Sequence, residues 1–297
     1  MTYLVGYGPR GDDRSAIELA FQFARSHPEP VVAVSVVPQG WGTPLAGGVD
    51  REYEEWAAGE GRLSAELALS DFAHHPGIPA EAVWVAGRSA PATLIEQAVA
   101  RDARMIVVGS AEEAEPGRVR LTSKTDRLVH SSPLPVAIAP RSFRTTSAVT
   151  RVTVGFRDDD ASWSLLNRVA EFSRLASARM RLVTFLVNPS RRPVTTDISH
   201  AQTQVIELWG VQAAAAQQEA AAHLKTLGFS DDDLEYGIAA AGDWGTAVSS
   251  VGWTEGDVMV VGSSSTHRLA QVFLGSSASK ILRNAPVPVV VVPGAGA

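Results

Sequence analysis

Apolar residues along this chain follow two alternating rhythms. Short runs of β-branched and aliphatic residues predict strands at 2–7, 31–37, 81–86, 105–109 and 135–139, and again at 151–156, 180–187, 234–239, 257–261 and 287–292. Some, such as MIVVG at 105–109 and VPVVVVP at 287–293, are apolar on both faces, as strands covered by helices on each side must be. Between the strands the spacing becomes that of amphipathic helices. DDRSAIELAFQFARSH at 12–27 and DDASWSLLNRVAEFSRLAS at 159–177 each open on acids suited to a helix N-terminus. Longer Ala- and Glu-rich stretches, 50–75 and 197–227, predict a helix after the second strand of each series, the later one stopped by Gly228. Pro, Gly and Arg mark 38–49 and 188–196 as loops.

The pattern repeats itself. RMIVVGSAEE at 104–113 is echoed by DVMVVGSSST at 257–266, and LVHSSPLPVAIAPR at 128–141 by ILRNAPVPVVVVPG at 281–294, both 153 positions later. YLVGYG at 3–8 answers VTVGFR at 152–157, and AGRSAPATLIEQA at 86–98 answers AGDWGTAVSSVGW at 241–253. Two homologous halves follow, at 1–145 and 149–297, joined near 142–150. Strands alternating with helices predict an α/β fold in each, doubly wound, with a mostly parallel sheet and helices on both faces.

Composition narrows the partners. With 297 residues, 45% hydrophobic and 20% charged, the chain can build two ordinary cores. A net charge of -6 supplies no cationic field for nucleic acid or an anionic membrane surface, so neither is expected as a partner. The absence of cysteine excludes disulfides, thiolate metal sites and a cysteine nucleophile. No signal-like segment and no apolar run near ~20 residues is present, which predicts a soluble, cytoplasmic protein.

The order strand, helix, strand, long helix, strand, helix, strand, glycine loop, short helix, strand resembles the universal stress protein family, and the resemblance covers essentially the whole chain as a tandem pair. It implies a five-stranded sheet of order 3-2-1-4-5 in each half. The family's loop pattern G-x-x-G-x(9)-G-[S/T] falls on Gly262, Ser265, Gly275 and Ser276, followed in the right order by a helix and Pro286-Val287-Pro288. In the first half the same positions are Gly109, Glu112, Thr122 and Ser123, of which only the first and last match.

In nucleotide-binding members, the resemblance implies, this loop holds the phosphates of ATP, and magnesium enters only through the nucleotide. Backbone amides at a helix start and nearby hydroxyls suit that role physically. The implied site in the second half comprises Arg157, Leu186, Gly262, Ser263, Ser265, Gly275, Ser276 and Ser277; a weaker counterpart comprises Gly8, Val36, Gly109 and Ser123. Gly8 and Arg157 stand where such members carry an Asp at the end of the first strand, and losing one acceptor costs about 0.5–1.5 kcal/mol. Arg157 is left to pair with a phosphate or with Asp158–Asp160. Glu112, reinforced by Glu113 and Glu115, would repel phosphate unless Arg118, Arg120 or Lys124 folds over the loop, so the second half is the better nucleotide site.

Plainer roles compete with these. Ser276 and Ser123 read as helix N-caps, Gly262 and Gly275 serve either phosphate approach or a tight turn, and Trp163, Trp209, Trp244 and Trp253 are packing residues by default. His267 reads as a solvent-facing loop residue, and no histidine pair has metal-ligand spacing. Gly6, Gly8 and Gly11 match a dinucleotide fingerprint, but the second strand ends in SVVPQG without an acid and only Gly155 persists in the second half, so the match is accidental. No catalytic motif emerges, and ATPase activity would rest on the resemblance alone. Three functions remain: a nucleotide-responsive stress protein whose ligand orders the loop 263–275 and so changes a surface for an unknown protein partner, a nucleotide-independent scaffold, and, behind these, an enzyme acting on a nucleotide or a small acid. An intramolecular pseudo-dimer and a homodimer are the expected assemblies.

Overall fold

The structure is a computed structural model that describes residues 1–8, 13–40, 48–187, 196–263 and 274–294, with side chains described for all of these except 48–50 and 196–203. The chain divides into two compact units, Met1–Ala148 and Val149–Ala297.

In the first unit the elements run β1 (Thr2–Gly6), α1 (Ser15–Ser26), β2 (Val31–Pro38), α2 (Gly48–Phe72), β3 (Ala80–Gly87), α3 (Ala90–Ala100), β4 (Ala103–Gly109), α4 (Ser123–Ser131) and β5 (Val136–Ala139). The sheet order is β3-β2-β1-β4-β5, with every pairing parallel. Tyr3, Leu4 and Val5 on the central strand and all four residues of β5 are buried, because helices cover both faces. Phe21 and Phe23 of α1 are fully buried, Phe23 stacking on Tyr3 at 5.9 Å and Phe21 meeting Phe72 of α2 edge-on at 5.5 Å. A Cβ at Gly6 would stand 2.9 Å from Leu94 of α3, so helix–sheet contact, and not a cofactor, explains that glycine.

The second unit repeats the plan with β6 (Arg151–Gly155), α5 (Asp160–Leu175), β7 (Arg179–Val187), α6 (Thr196–Thr226), β8 (Leu234–Ala241), α7 (Trp244–Ser249), β9 (Asp257–Gly262), α8 (Ser276–Asn284) and β10 (Val289–Val292). Its order is β8-β7-β6-β9-β10, again all parallel, so both units show the 3-2-1-4-5 arrangement. β10 begins at Val289, two residues later than its apolar run suggests: Pro286 and Pro288 have no N–H for the ladder, although the Pro288 carbonyl still accepts from Met259. At the opposite end of this sheet the Asp257 carboxylate, fully buried, accepts from Arg151 at 2.7 Å, from Arg181 at 3.3 Å and from the Thr254 amide at 2.8 Å. Trp253 covers the Arg181 guanidinium at 5.0 Å.

Candidate functional site

Each unit has a cleft at the carboxyl ends of its central strands, where the strand order reverses and open α/β sheets place ligands. The two N-terminal strands set the equivalence between them. The Tyr7 amide donates to Val34 and the Phe156 amide to Val183, while Ser35 Oγ donates to the Tyr7 carbonyl and Thr184 Oγ1 to the Phe156 carbonyl. These contacts relate the early strands by 149 positions, not by the 153 that relates the later ones.

The second-unit cleft, of about 300 Å³, is lined by Arg157, Gly262, Ser263, Gly275, Ser276 and Ser277. Leu186 is not among its lining residues; Phe185 is, because the 149-residue relation makes Phe185 the counterpart of Val36 and side chains alternate faces along β7. Ser265 and His267 lie outside the described residues. Trp244, at the start of α7, also lines the cleft, 6.0 Å from Phe185 and beneath Lys280 Nζ at 5.5 Å. Of the other tryptophans, Trp163 meets Phe156 edge-on, Trp253 covers Arg181, and Trp209 is exposed on α6.

Charge and capping define the cleft's chemistry. Arg157 is 70% exposed and pairs with Asp159 at 3.0 Å, while Asp159 also caps α5 by accepting from the Ser162 amide. Ser276 is not the cap of α8. Gly275 holds that position with extended ψ and no side chain, so among the described residues no side chain caps the first turn, and Ser276, Ser277 and Ala278 border the cleft. Ser263 is engaged elsewhere: its amide donates to the Val292 carbonyl at 3.0 Å and its hydroxyl accepts from the Gly294 amide at 3.0 Å. Gly262 avoids the left-handed region, and among the described residues a Cβ there would meet only Leu165, at 3.5 Å.

The first-unit cleft, of about 640 Å³, takes in Gly8, Val36 and Gly109 but not Ser123. Ser123 is not the cap of α4 either; Thr122 is, its hydroxyl accepting from the Thr125 amide at 3.0 Å. The loop 110–122 closes on itself and on the chain after β5. The Ala111 amide donates to Arg120, Ala114 to Ala111 and Gly117 to Arg141, and the Arg120 amide donates to Ser110 Oγ at 2.7 Å. Glu112 and Glu113 line the cleft, Glu115 does not, and of the three expected cations only Lys124 does. Near Gly8 a Cβ would meet nothing within 4 Å among the described residues, so crowding does not account for the missing carboxylate. Deeper in, Tyr7 Oη donates to Asp71 at 3.3 Å, and Arg14 pairs with the same carboxylate at 2.8 Å. Burial, then Asp71, pushes the Tyr7 phenol up to about 12.

The family model of the universal stress protein family matches residues 1–140 and 148–293. The chain belongs to the universal stress protein family. It carries two tandem domains of that family. Universal stress proteins of Mycobacterium tuberculosis and Mycobacterium bovis are 33% identical to it over 299 residues, spanning 99% of this chain and 100% of theirs. A universal stress protein from Archaeoglobus fulgidus superposes with a TM-score of 0.63 at 16% identity, covering 98% of both chains. A functionally unknown protein from Pseudomonas aeruginosa gives 0.61 at 15% identity, covering 99% of this chain and 92% of its own. These two likenesses establish the fold. Among the described residues, no helix of this universal stress protein is long and apolar enough to cross a membrane, and no cluster of three metal-ligating side chains occurs.

Proposed function

We propose that this universal stress protein binds an adenine nucleotide in its second-unit cleft and acts by binding it, without turning it over. The observation that carries the reading is the start of α8, which opens into the cleft behind a glycine with no capping side chain. A helix start in that state offers backbone amides and the positive end of the dipole to a phosphate, and Ser276 and Ser277 add hydroxyls. Gly262 supports the same reading, since neither its backbone angles nor its described neighbours demand glycine. Phe185 and Trp244 give the other end of the cleft apolar faces suited to a base. The charged groups at the mouth, Arg157 and Asp159, satisfy one another and leave no evident general base. Magnesium would arrive on the nucleotide. The first-unit cleft is the poorer site, because its loop amides and its α4 cap are already engaged within the protein.

Titration calorimetry of the full chain with ATP and with ADP, each with and without magnesium, tests this. One saturable site per chain is expected, and no saturation at millimolar nucleotide overturns it. A second reading, a nucleotide-independent scaffold, is favoured by the exposed apolar side chains Leu63, Leu67 and Trp84 in the first unit and Leu208, Val211 and Ile238 in the second. Light scattering that shows only monomer, with ATP bound, decides against it.

A further inference from the structure

Beside the chain that leaves the first unit, a concavity of about 700 Å³ opens between α1, the segment following α2, and residues 144–146. It shares no lining residue with the first-unit cleft. Its polar lining is one-sided: two guanidinium groups, Arg25 and Arg144, and the imidazoles of His74 and His75 face a single carboxylate, Glu18. Arg25 is half-buried, donating through Nη2 to the Thr145 carbonyl at 3.0 Å and through Nε to Ser147 at 3.3 Å. Among the described residues, no carboxylate lies within ion-pair distance of its guanidinium. A cation drawn partly out of water and met by carbonyl dipoles, with Glu18 acting on it only from beyond ion-pair distance, is costly, and an anion in the adjoining space would relieve that cost. Across the concavity Arg144 is 47% exposed; its Nη1 donates to the Phe143 carbonyl at 2.6 Å and lies 3.8 Å from Asp13, a loose pairing, and among the described residues these contacts engage Nη1 and not Nε or Nη2. The His75 ring lies flat on Phe21, 4.1 Å between centroids and 14° between planes, with Nε2 3.6 Å from Glu18. Pro76 and Ile78 supply an apolar wall.

We propose that this concavity binds a small organic anion, a carboxylate or phosphate on a short apolar stem, with the anionic head between Arg25 and Arg144 and the stem along Ile78. Head-group recognition then comes from guanidinium donors, the side chains best suited to carboxylate and phosphate. Protonation is linked to occupancy. Burial holds the His75 pKa below its ordinary value; Glu18 opposes that shift, and Arg25 and His74 add to it. The charged groups around His75 are therefore Glu18 and Arg25 on α1, His74 on its own segment and Arg144 across the gap. A bound anion adds a negative neighbour, raises that pKa and takes up a proton, so binding tightens as pH falls.

Imidazole NMR of the full chain, with the His75 signals identified through His75→Gln, reads this directly. Hexanoate, hexyl phosphate and inorganic phosphate are the probes. A saturable His75 shift with hexanoate or hexyl phosphate is expected, the better of the two identifying the head group, together with a rise in the His75 pKa at saturation. Arg144→Gln, at an exposed position, should bind the same probe about tenfold more weakly. Gly275→Ser, in the other unit, should bind it as the parent does. A shift that grows linearly without saturating overturns the proposal, as does unchanged affinity in Arg144→Gln. Inorganic phosphate binding as tightly as hexyl phosphate overturns the part played by the stem.

Discussion

Replacing Gly262 with alanine separates the two reasons a glycine can stand in a ligand loop. If the fold required glycine, the new methyl would cost stability. The structure argues otherwise: φ lies outside the left-handed region, and the nearest described atom to an added Cβ is Leu165 Cδ2 at 3.5 Å, an ordinary contact. What remains is the unfolded chain, which loses freedom when glycine becomes alanine; compatible sites gain about 0.4–1 kcal/mol from this. For a chain of this length that corresponds to a Tm rise of about 1–3 °C. The same methyl would stand where a phosphate is proposed to approach the backbone, so nucleotide affinity should fall by at least about tenfold. Gly6→Ala is the contrast, because its Cβ would lie 2.9 Å from Leu94 Cδ1 and 3.2 Å from Val108 Cγ1. Overpacking there should cost about 1–3 kcal/mol. Differential scanning calorimetry and nucleotide titration on both variants give the answer. A Tm for Gly262→Ala several degrees below the parent would show that the fold itself demands this glycine, and the argument for phosphate approach would fail.

Capping makes a paired prediction. Thr122→Ala should lose about 1 kcal/mol with the hydrogen bond to Thr125, whereas Gly275→Ser should hold or gain stability while weakening nucleotide binding; urea unfolding and calorimetry report both. Asp257→Asn should cost about 3–5 kcal/mol, measured by urea unfolding, because it leaves the buried guanidinium of Arg181 short of its counter-charge. Tyr7 supplies a pH window. Its phenol is held up to about 12 when folded against an ordinary value near 10, so its contribution is present below pH 10 and lost as pH rises toward 12. Tyr7→Phe should flatten the decline in stability across that window, and an unchanged slope would refute the assignment.

Most of the architecture was legible because buried parallel strands write continuous apolar runs and because the chain writes its plan twice. MIVVG and VVVV are such runs, and they became β4 and β10, each walled in on both faces. What escaped was finer than a turn of helix. Leu186 stands 150 positions after Val36, whereas the contacts of the early strands relate them by 149, and a single step along a strand exchanges its faces, which brings Phe185 to the cleft instead. The hydroxyls of Ser35 and Thr184, each at the same place on the second strand, were the available signal for the correct register. The caps slipped by one for a related reason: serine follows both Thr122 and Gly275, and composition does not say which residue turns the chain. Trp244 was visible in AGDWG, immediately beyond the third strand, where a side chain overhangs the carboxyl end of the sheet.

Gene duplication ordinarily doubles the number of binding sites and opens the way to switch-like responses. Here the loop 110–122 is hydrogen-bonded within the first unit, while among the described residues no side chain caps the start of α8 in the second. If the second-unit cleft alone binds, as proposed, and the chain acts as a monomer, occupancy follows a hyperbola with a Hill coefficient of one, graded with concentration and without a threshold.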